Sequence, residues 1–203
     1  MSTATADLLT ALHTRRSVYG INNTSPISDE RIQEIIREAI LYTPSAFNSQ
    51  STRIVLLLGK EHEQLWNMTT NVLKTIVPAD QFVSTQQKMD SFIAGHGTIL
   101  FFEDEAIVRQ LQNDFALYQD RFPGWAQHTN AMHQMVIWTA LANEGLGASL
   151  QHYNPLIDEV IKETWKLPET WQLIAQMPFG APTAQPGAKQ KQPVEDRFKV
   201  FKG

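Results

Sequence analysis

Residues 44–50, Pro-Ser-Ala-Phe-Asn-Ser-Gln, form the stretch on which the interpretation of this fold rests. The stretch follows an amphipathic helical pattern and precedes a continuous apolar run that begins at Ile54. Amides and hydroxyls suit the polar edge of a heterocycle, and flat or small residues suit contact with a ring face. The residues of these types are Pro44, Ser45, Ala46, Asn48 and Gln50. Because proline, serine and asparagine are common in loops, an ordinary helix-to-strand loop is an equal alternative.

Two adjacent arginines and a hydroxyl, Arg15, Arg16 and Ser17, lie upstream of that stretch. A guanidinium group presents a planar fork of donors that matches phosphate, and serine adds a further donor. Taken alone, two arginines at a helix C-terminus are better explained as solvated cations that complement the helix dipole. A loop suited to a flat ring and a cluster suited to a phosphate together indicate FMN as the ligand.

A third candidate segment contains Gly145 and Gly147, where the backbone could approach a ligand closely. It is not a dinucleotide-binding fingerprint, because Leu150 occupies the third glycine position and the segment follows a helix rather than a strand. A glycine C-cap on the preceding helix is the alternative. In the basic C-terminal tail, Arg197 is the best candidate for contact with a phosphate.

Composition excludes several classes of protein. The chain has 203 residues, of which 42% are hydrophobic and 19% charged, as is typical of a globular domain. The net charge of −4 gives no electrostatic footprint for nucleic acid, and no apolar run approaches the length of a membrane span. Without cysteine, a metal-binding histidine pattern, a serine-hydrolase elbow or a Walker loop, neither a metal site nor a catalytic side chain is predicted. Residues 1–7 lack a signal-peptide pattern, so we expect a cytoplasmic protein.

Alternating helical and strand patterns predict an α/β or α+β fold with four strands. Ser28 is the expected N-cap of a helix that ends at Pro44. The other expected helices cover residues 7–13, 61–76, 81–94, a segment opened by residues 103–105, 132–143 and 154–163. The expected strands cover residues 53–58, 98–102, 148–153 and 171–177, the last ending at Pro178.

The predicted helix over residues 132–143 and the C-terminal tail both suggest contact with a second subunit. The helix is apolar around most of its circumference, which places it either in a large core or against another subunit. Residues 183–193 are polar and cannot fold alone, whereas residues 197–201 have a strand-like pattern. We therefore predict one domain over residues 1–203, in which residues 183–203 form an arm that reaches a partner subunit. A frayed tail is the alternative.

Four segments, by their order and spacing, resemble the nitroreductase family of FMN enzymes, and most of all its small branch in fungi and lactic acid bacteria. They are residues 15–17, 44–50, 97–104 (Gly-Thr-Ile-Leu-Phe-Phe-Glu-Asp) and 145–155. The resemblance implies an α+β fold with a mixed sheet wrapped by helices. It also implies an intertwined homodimer with two FMN molecules at the interface. Larger bacterial members carry an insertion or extra helix over the ring with no obvious equivalent here, so the resemblance does not fix the substrate.

The resemblance also assigns roles to individual residues. The arginine pair and serine would bind the phosphate and the pyrimidine edge, and the loop at residues 44–50 would come from the other subunit. Residues 149–151 would lie beside the reactive nitrogen of the flavin, and a lysine on a helix would lie near the ribityl chain. The residues implied to bind FMN are Arg15, Arg16, Ser17, Pro44, Ser45, Ala46, Asn48, Gln50, Lys88, Ser149, Leu150, Gln151 and Arg197.

The implied reaction is reduction of a nitroaromatic or quinone by NADH or NADPH in ping-pong order, with the flavin carrying the chemistry. Either Arg16 or Arg15 would stabilise the reduced flavin electrostatically, and the other would bind phosphate. The alternatives are a flavin-binding stress or sensor protein with slow turnover, a reductase of hydroperoxides, and a helical interaction protein without a ligand. The preferred nicotinamide and the physiological electron acceptor are left open by the sequence.

Overall fold

The computed structural model describes residues 3–203, with side chains from residue 7 onward, so the first two residues of the predicted domain lie outside the described residues. The described helices are α1 (Thr3–Thr14), α2 (Asp29–Tyr42), α3 (Lys60–Lys74), α4 (Phe82–Ile93), α5 (Glu105–Asp114), α6 (Phe122–Asn143) and α7 (Asp158–Trp165). The described strands are β1 (Ile21–Asn22), β2 (Thr52–Leu58), β3 (Gly97–Asp104), β4 (Gly147–Ala148) and β5 (Trp171–Pro182). This arrangement confirms the α+β fold class.

The five described strands form one sheet in the order β1-β5-β3-β2, and β4 also pairs with β5. These strand pairs are antiparallel, and a parallel bridge joins Ser17 to Ala148. The central strand β3 has β2 on one side and β5 on the other, and seven of its eight residues are buried. This position explains why its sequence is a continuous apolar run rather than an alternating one.

Helices cover both faces of the sheet, and alternate residues of β3 enter two separate cores. Ile99 and Phe101 pack in the core formed with α2 and α6. Leu100 and Phe102 pack in the core formed with α3, α4 and α7, which also contains Trp66. Among residues 3–203, no helix is both long and apolar enough to cross a bilayer.

The cap predicted for α2 is confirmed, because the Ser28 hydroxyl accepts a hydrogen bond from the Arg31 amide at 3.3 Å. The start predicted for α5 is partly wrong. Glu103 belongs to β3, and the side chain of Asp104 caps the helix by accepting from the Ala106 amide at 3.2 Å. The acidic run therefore spans a strand-to-helix junction, and only Glu105 lies in the first helical turn.

Several predicted boundaries are corrected by the structure. Strand β5 does not stop at Pro178, because that residue continues the ladder opposite Thr98, and its carbonyl accepts from the Ser149 amide at 3.3 Å. The strand predicted over residues 148–153 is reduced to β4 and one bridge between Gln151 and Gln176. The helix predicted from residue 154 begins only at Asp158, after a turn.

Helix α6 and the C-terminal tail also differ from expectation. Helix α6 begins well before residue 132, at Phe122. Its apolar surface is not fully covered within one chain, since Met132, Met135 and Val136 are each more than a third exposed. Residues 197–201 form no strand, and Phe201 at their end is 94% exposed. The sequence predicts α6 to be buried either in a large core or against another subunit. Within the described part of the single chain, no core surrounds the helix.

Candidate functional site

A pocket of about 790 Å³ joins the end of α1 to the C-terminal tail. Arginine and lysine supply five of the side chains that line it, and we call it the basic pocket. Its lining residues are Leu12, His13, Arg15, Arg16, Ser17, Lys189, Gln190, Lys191, Gln192 and Arg197. The fold therefore brings together Arg15, Arg16 and Ser17, predicted to bind the phosphate and the pyrimidine edge, and Arg197, predicted to reach the phosphate.

The backbone of residues 15–17 is held between a helix end and a strand edge. The Arg15 amide donates to the Ala11 carbonyl at 3.0 Å, which completes the last turn of α1. The chain then runs beside β4, where the Val18 amide donates to the Ala148 carbonyl at 2.9 Å. A side chain at Gly147 would lie 2.8 Å from Val18, so this close approach requires glycine.

The two arginines of the motif point to different neighbours. The Arg15 guanidinium carbon lies 4.4 Å from the ring centroid of Trp138 on α6. The Arg15 Nε atom is buried and has no hydrogen-bond partner among the described residues. Arg16 instead donates from Nη2 to the carbonyl of Gly187 in the tail at 2.7 Å. The tail reaches this point by running alongside residues 16–20, where the Thr183 amide donates to the Gly20 carbonyl at 2.8 Å.

The segment at residues 149–151 continues directly from β4 and is fixed by hydrogen bonds. The Gln151 amide group donates to the Ser149 hydroxyl at 3.0 Å, and both side chains are buried. The backbones of Gln151 and Gln176 exchange hydrogen bonds of 2.7 and 2.9 Å, and Leu150 packs against the core shared with α6. Because Ser17 is bridged to Ala148, this segment lies next to the arginine motif.

The loop at residues 44–50 does not line the basic pocket of its own chain. Its shape is set by the backbone, since Phe47, Asn48 and Gln50 have φ angles of 56°, 53° and 48°. The Ser45 hydroxyl accepts from the Gln50 amide at 3.0 Å. Arg53 donates to the Gln50 carbonyl at 2.8 Å and to the Asp104 carboxylate at 3.1 Å, which ties the loop to the start of α5.

The ring of Phe47 belongs to an aromatic cluster that sequence reasoning missed. Its centroid lies 4.9 to 5.8 Å from the centroids of four other rings, and the ring of Trp125 is stacked on it at 19°. The four rings are those of Phe115, Tyr118, Phe122 and Trp125. The density of aromatic residues between positions 115 and 125 was the available signal. Phe47 is still 48% exposed, so the cluster forms an open surface beside the loop.

A buried polar network lies where the loop joins β2. The Thr52 hydroxyl and the Asn130 amide both donate to Glu103 Oε1, at 2.6 and 2.9 Å. Gln134 on α6 donates to Asn130 Oδ1 at 2.7 Å. Glu103 is 1% exposed, and its Oε2 atom has no partner in the part of the chain that the structure describes. The network links β2, β3 and α6 directly beneath the loop.

Lys88 lies on the exposed side of α4 and does not line the basic pocket. Its ammonium group is 5.7 Å from the ring centroids of Phe92 and Tyr153. Burial of the Tyr153 ring raises the pKa of its hydroxyl to about 12. The role of Lys88 near a ribityl chain stays a prediction.

No group of three or more histidine, aspartate or glutamate side chains in the described part of the chain is placed to hold a metal ion.

Comparisons with known proteins show the family and the fold. The nitroreductase family model matches residues 12–181. Nitroreductase FRM2 of Saccharomyces cerevisiae is 32% identical over 187 residues, which cover 91% of this chain and 93% of the yeast protein. The structure of nitroreductase CinD from Lactococcus lactis in complex with chloramphenicol is 42% identical, with a TM-score of 0.88. The match covers 96% of this chain and all of the bacterial one.

CinD has also been solved with 4-nitrophenol, at the same identity and TM-score. A crystal structure of a Saccharomyces cerevisiae nitroreductase is 29% identical, with a TM-score of 0.74 over 88% of this chain and 97% of that one. The similar proteins come from a yeast and a lactic acid bacterium, which confirms the predicted branch. The family model covers most of the sequence, and the chain belongs to the nitroreductase family.

Proposed function

We propose that this protein is an FMN-dependent oxidoreductase that uses NADH or NADPH to reduce nitroaromatics or quinones. The observation that carries the proposal is the basic pocket, in which Arg15, Arg16 and Arg197 from opposite ends of the chain line one cavity. When bound, FMN would supply the two-electron chemistry. The protein would bind, orient and tune it.

The residues of the pocket fit FMN in both charge and size. A volume of about 790 Å³ is within the range of small-molecule sites. Five arginine and lysine side chains suit a phosphate dianion.

Each part of the site has a distinct task in this proposal. Arg16, Ser17 and Arg197 would bind the phosphate, because they line the basic pocket together with two lysines. The rigid segment at residues 149–151 would lie against the ring, since the parallel bridge at Ser17 holds it next to the arginines. A general acid is not required, because protons can come from water, and we therefore assign no catalytic side chain.

A second copy of this chain would complete the site. Helices α2 and α6 leave an apolar groove of about 550 Å³ whose floor includes Met132, Met135 and Val136, with Tyr42 at its rim. Tyr42 is 76% exposed, and exposed apolar surfaces of this kind mark interaction sites. Pro44 also lines the groove, so a partner docked there would lie next to the loop at residues 44–50. The loop would then bind the FMN of the partner. That the arm at residues 183–203 reaches the partner stays a prediction, since residues 189–192 and Arg197 line the pocket of their own chain.

The nitroaromatic substrate class is supported by CinD, which has been solved with 4-nitrophenol and with chloramphenicol. This chain is 42% identical to that protein. The aromatic cluster around Phe47 offers flat apolar surface beside the loop, which suits a planar electron acceptor. Quinones share that planarity, so both classes belong to the proposal.

The first test is the visible spectrum of the purified protein, followed by identification of the released chromophore. We expect a yellow protein that releases FMN and a particle mass of two chains in light scattering. Stopped-flow mixing with NADH or NADPH without oxygen should bleach the flavin within seconds. Subsequent addition of 4-nitrophenol, a quinone or a hydroperoxide should restore the colour at rates that rank the acceptors.

Other results would favour the alternatives. Flavin that stays oxidised for minutes in the presence of either nicotinamide would favour the sensor protein. Rapid recovery of colour with hydroperoxide alone would favour the peroxide reductase. A colourless monomer that does not take up added FMN would contradict the whole proposal and favour an interaction protein.

A further inference from the structure

We propose that Lys189 and Lys191 form a second anion subsite in the basic pocket, which takes the 2′-phosphate of NADPH and makes NADPH a better electron donor than NADH. The inference rests on the proposed function and deepens it, because it names the nicotinamide that the enzyme prefers. NADH and NADPH transfer the same hydride and differ in one phosphate group on the adenosine ribose. A binding site for that group is therefore sufficient to distinguish them.

The first observation is a surplus of positive charge in the pocket. Five arginine and lysine side chains line it, and none of the described lining residues is an aspartate or a glutamate. The phosphate of FMN carries about two negative charges, so about three positive charges are left when it is bound. The chain as a whole has a net charge of −4, so these cations are concentrated locally. Like charges held together repel one another, and a second anion would relieve that repulsion.

The second observation is the way in which the two lysines are held in place. Residues 187–192 form a short segment of the tail, and each end of the segment accepts a hydrogen bond from an arginine of the pocket. Arg16 donates from Nη2 to the Gly187 carbonyl at 2.7 Å, and Arg197 donates from Nη2 to the Gln192 carbonyl at 3.3 Å. Both lysines lie between these two points, so they stay close to the arginines that we assign to the FMN phosphate.

The third observation is that the ammonium groups of both lysines are available. Both side chains are exposed, and neither ammonium group has a hydrogen bond or an ion pair with another residue that the structure describes. By contrast, Lys199 in the same tail donates to the Glu195 carbonyl at 2.8 Å and does not line the pocket. An ammonium group on a flexible stem suits a phosphate that arrives with a substrate and leaves with the product, because it can follow that group as it moves.

The fourth observation is the room in the pocket. Residues 149–151, which we propose to lie against the flavin ring, do not line it. Only the phosphate end of FMN therefore needs to occupy its volume of about 790 Å³. Leu12 is the one aliphatic residue among the described lining residues, and the others are polar or charged. A cavity of this size and polarity can hold a second phosphate and part of the ribose that carries it.

An anionic electron acceptor is the other possible source of a negative group. A nitrobenzoate carries its carboxylate on the same ring that must stack on the flavin, and it is too short to extend into the phosphate end of the site. A dinucleotide is long enough to place its nicotinamide on the flavin ring and its adenosine ribose among the lysines. The length of the ligand therefore favours NADPH.

The first measurement is binding at equilibrium, without turnover. Adenosine 2′,5′-bisphosphate carries the 2′-phosphate of NADPH, and 5′-AMP lacks it. In calorimetric titrations of the FMN-loaded protein, the bisphosphate should bind about tenfold more tightly than 5′-AMP, the gain expected from two exposed charged contacts. In the K189Q/K191Q variant, the two nucleotides should bind equally within about twofold. The matched control is K199Q/K202Q, which removes the same charge from exposed tail positions outside the pocket and should keep the tenfold difference.

The second measurement compares kcat/KM for NADPH and NADH in flavin reduction. The wild-type value should be about tenfold higher for NADPH. In K189Q/K191Q it should fall about tenfold for NADPH and less than about twofold for NADH, because only NADPH loses a contact. Added KCl should narrow the preference of the wild type, since salt screens exposed charges.

Several results would overturn the inference while bleaching of the flavin by either donor leaves the proposed function intact. These are equal binding of the two nucleotides by the wild type, or a preference for NADPH that survives in K189Q/K191Q. Weaker FMN binding in that variant with an unchanged preference would assign the lysines to the FMN phosphate instead. Loss of activity towards 4-nitrobenzoate alone would assign them to an anionic acceptor and overturn the assignment to NADPH. A wild type that binds no FMN would overturn both proposals.

Discussion

The basic pocket and the loop at residues 44–50 were both singled out by short polar motifs, but they are built in opposite ways. The pocket consists of long cationic side chains from two chain segments, and Arg197 and the lysines that line it are exposed. The loop consists of short residues whose backbone takes three left-handed conformations. Arg53 donates to the Gln50 carbonyl of the loop, and Glu103 accepts from Thr52, where the chain leaves the loop.

Because of this difference, we expect substitutions in the pocket to change ligand affinity and substitutions around the loop to change stability. Exposed cations can bind a phosphate through side chains that adjust, so changes there should affect binding with little effect on stability. A loop with positive φ angles persists only where its surroundings hold it, so changes beneath it should affect stability first. The two regions also lie apart within one chain, which is why the proposed site needs two copies.

The largest expected effect is on the support of the loop. Glu103→Ala would leave the Thr52 hydroxyl and an Asn130 amide proton unpaired in the core, and we expect it to lower the free energy of unfolding by about 3 kcal/mol. Glu103→Gln keeps the Oε1 acceptor and should cost about 1 kcal/mol or less. Urea titrations of both variants measure the difference. Equal losses in the two variants would contradict a network that works through Oε1.

The opposite pattern is expected in the basic pocket. Arg16→Ala removes a charged donor to phosphate worth about 2 kcal/mol, so the dissociation constant of FMN should rise about 30-fold. The urea midpoint should hardly change, because the hydrogen bond that Arg16 donates within the chain goes to an exposed tail. Lys202→Ala is the matched control, as an exposed tail cation outside the pocket. An Arg16→Ala variant with normal FMN affinity would contradict the phosphate assignment.

Local signals in the sequence predicted much of this fold. The Ser28 cap, the apolar run of β3 and the glycine that ends α6, Gly145 with a φ of 87°, each follow from one short-range rule, and the structure contains all three. The four motifs also pointed to the correct family. For the site, only the family resemblance predicted that the arginine motif and Arg197 bind one ligand. No local signal in the sequence links the two ends of the chain.

The remaining features depend on tertiary contacts. The first turn of α6 contains Gly124, which is a poor helix former, and Phe122 is held there by packing against Val108. Strand β1 has only two residues and exists because β5 offers it an edge. The stacking of Arg15 on Trp138 joins α1 to α6, and no periodicity in either segment indicates it.

A substitution pair at Phe47 sharpens the comparison by separating strain from packing. A residue other than glycine at a φ of 56° costs about 1 kcal/mol. Phe47→Gly should therefore be about 1 kcal/mol more stable than Phe47→Ala, the reverse of the usual order for these two residues. Both variants lose the stacking of the Phe47 ring on Trp125 to the same extent. Thermal or urea unfolding measures the gap.

Asn48 provides a second strained position, with a φ of 53°, at which the same order can be checked. Asn48→Gly should again be better tolerated than Asn48→Ala, because only glycine adopts this conformation without a steric penalty. If alanine were the more stable substitution at both positions, strain in the loop would not be the cause of the difference.

The smallest expected effect is a loss of stability in mild acid on the loop side of the molecule. His133 on α6 is buried, and its desolvation lowers its pKa below the ordinary value of 6.5, although a hydrogen bond to the Thr129 carbonyl and the charge of Glu103 partly oppose this. Burial lowers the pKa of His62 on the other face of the sheet in the same direction. The histidine of the basic pocket, His13, is exposed.

Because the unfolded chain binds protons at these histidines more readily than the folded one, stability is fully present above pH 6.5 and declines as the pH falls below it. The urea midpoint should fall between about pH 7 and pH 5, and less steeply in His133→Gln than in the wild type. His128→Gln is the matched control, since His128 is exposed on the same helix. If His128→Gln flattened the pH dependence as much as His133→Gln does, burial would not be its cause, and the loop side would be no more acid-sensitive than the basic pocket.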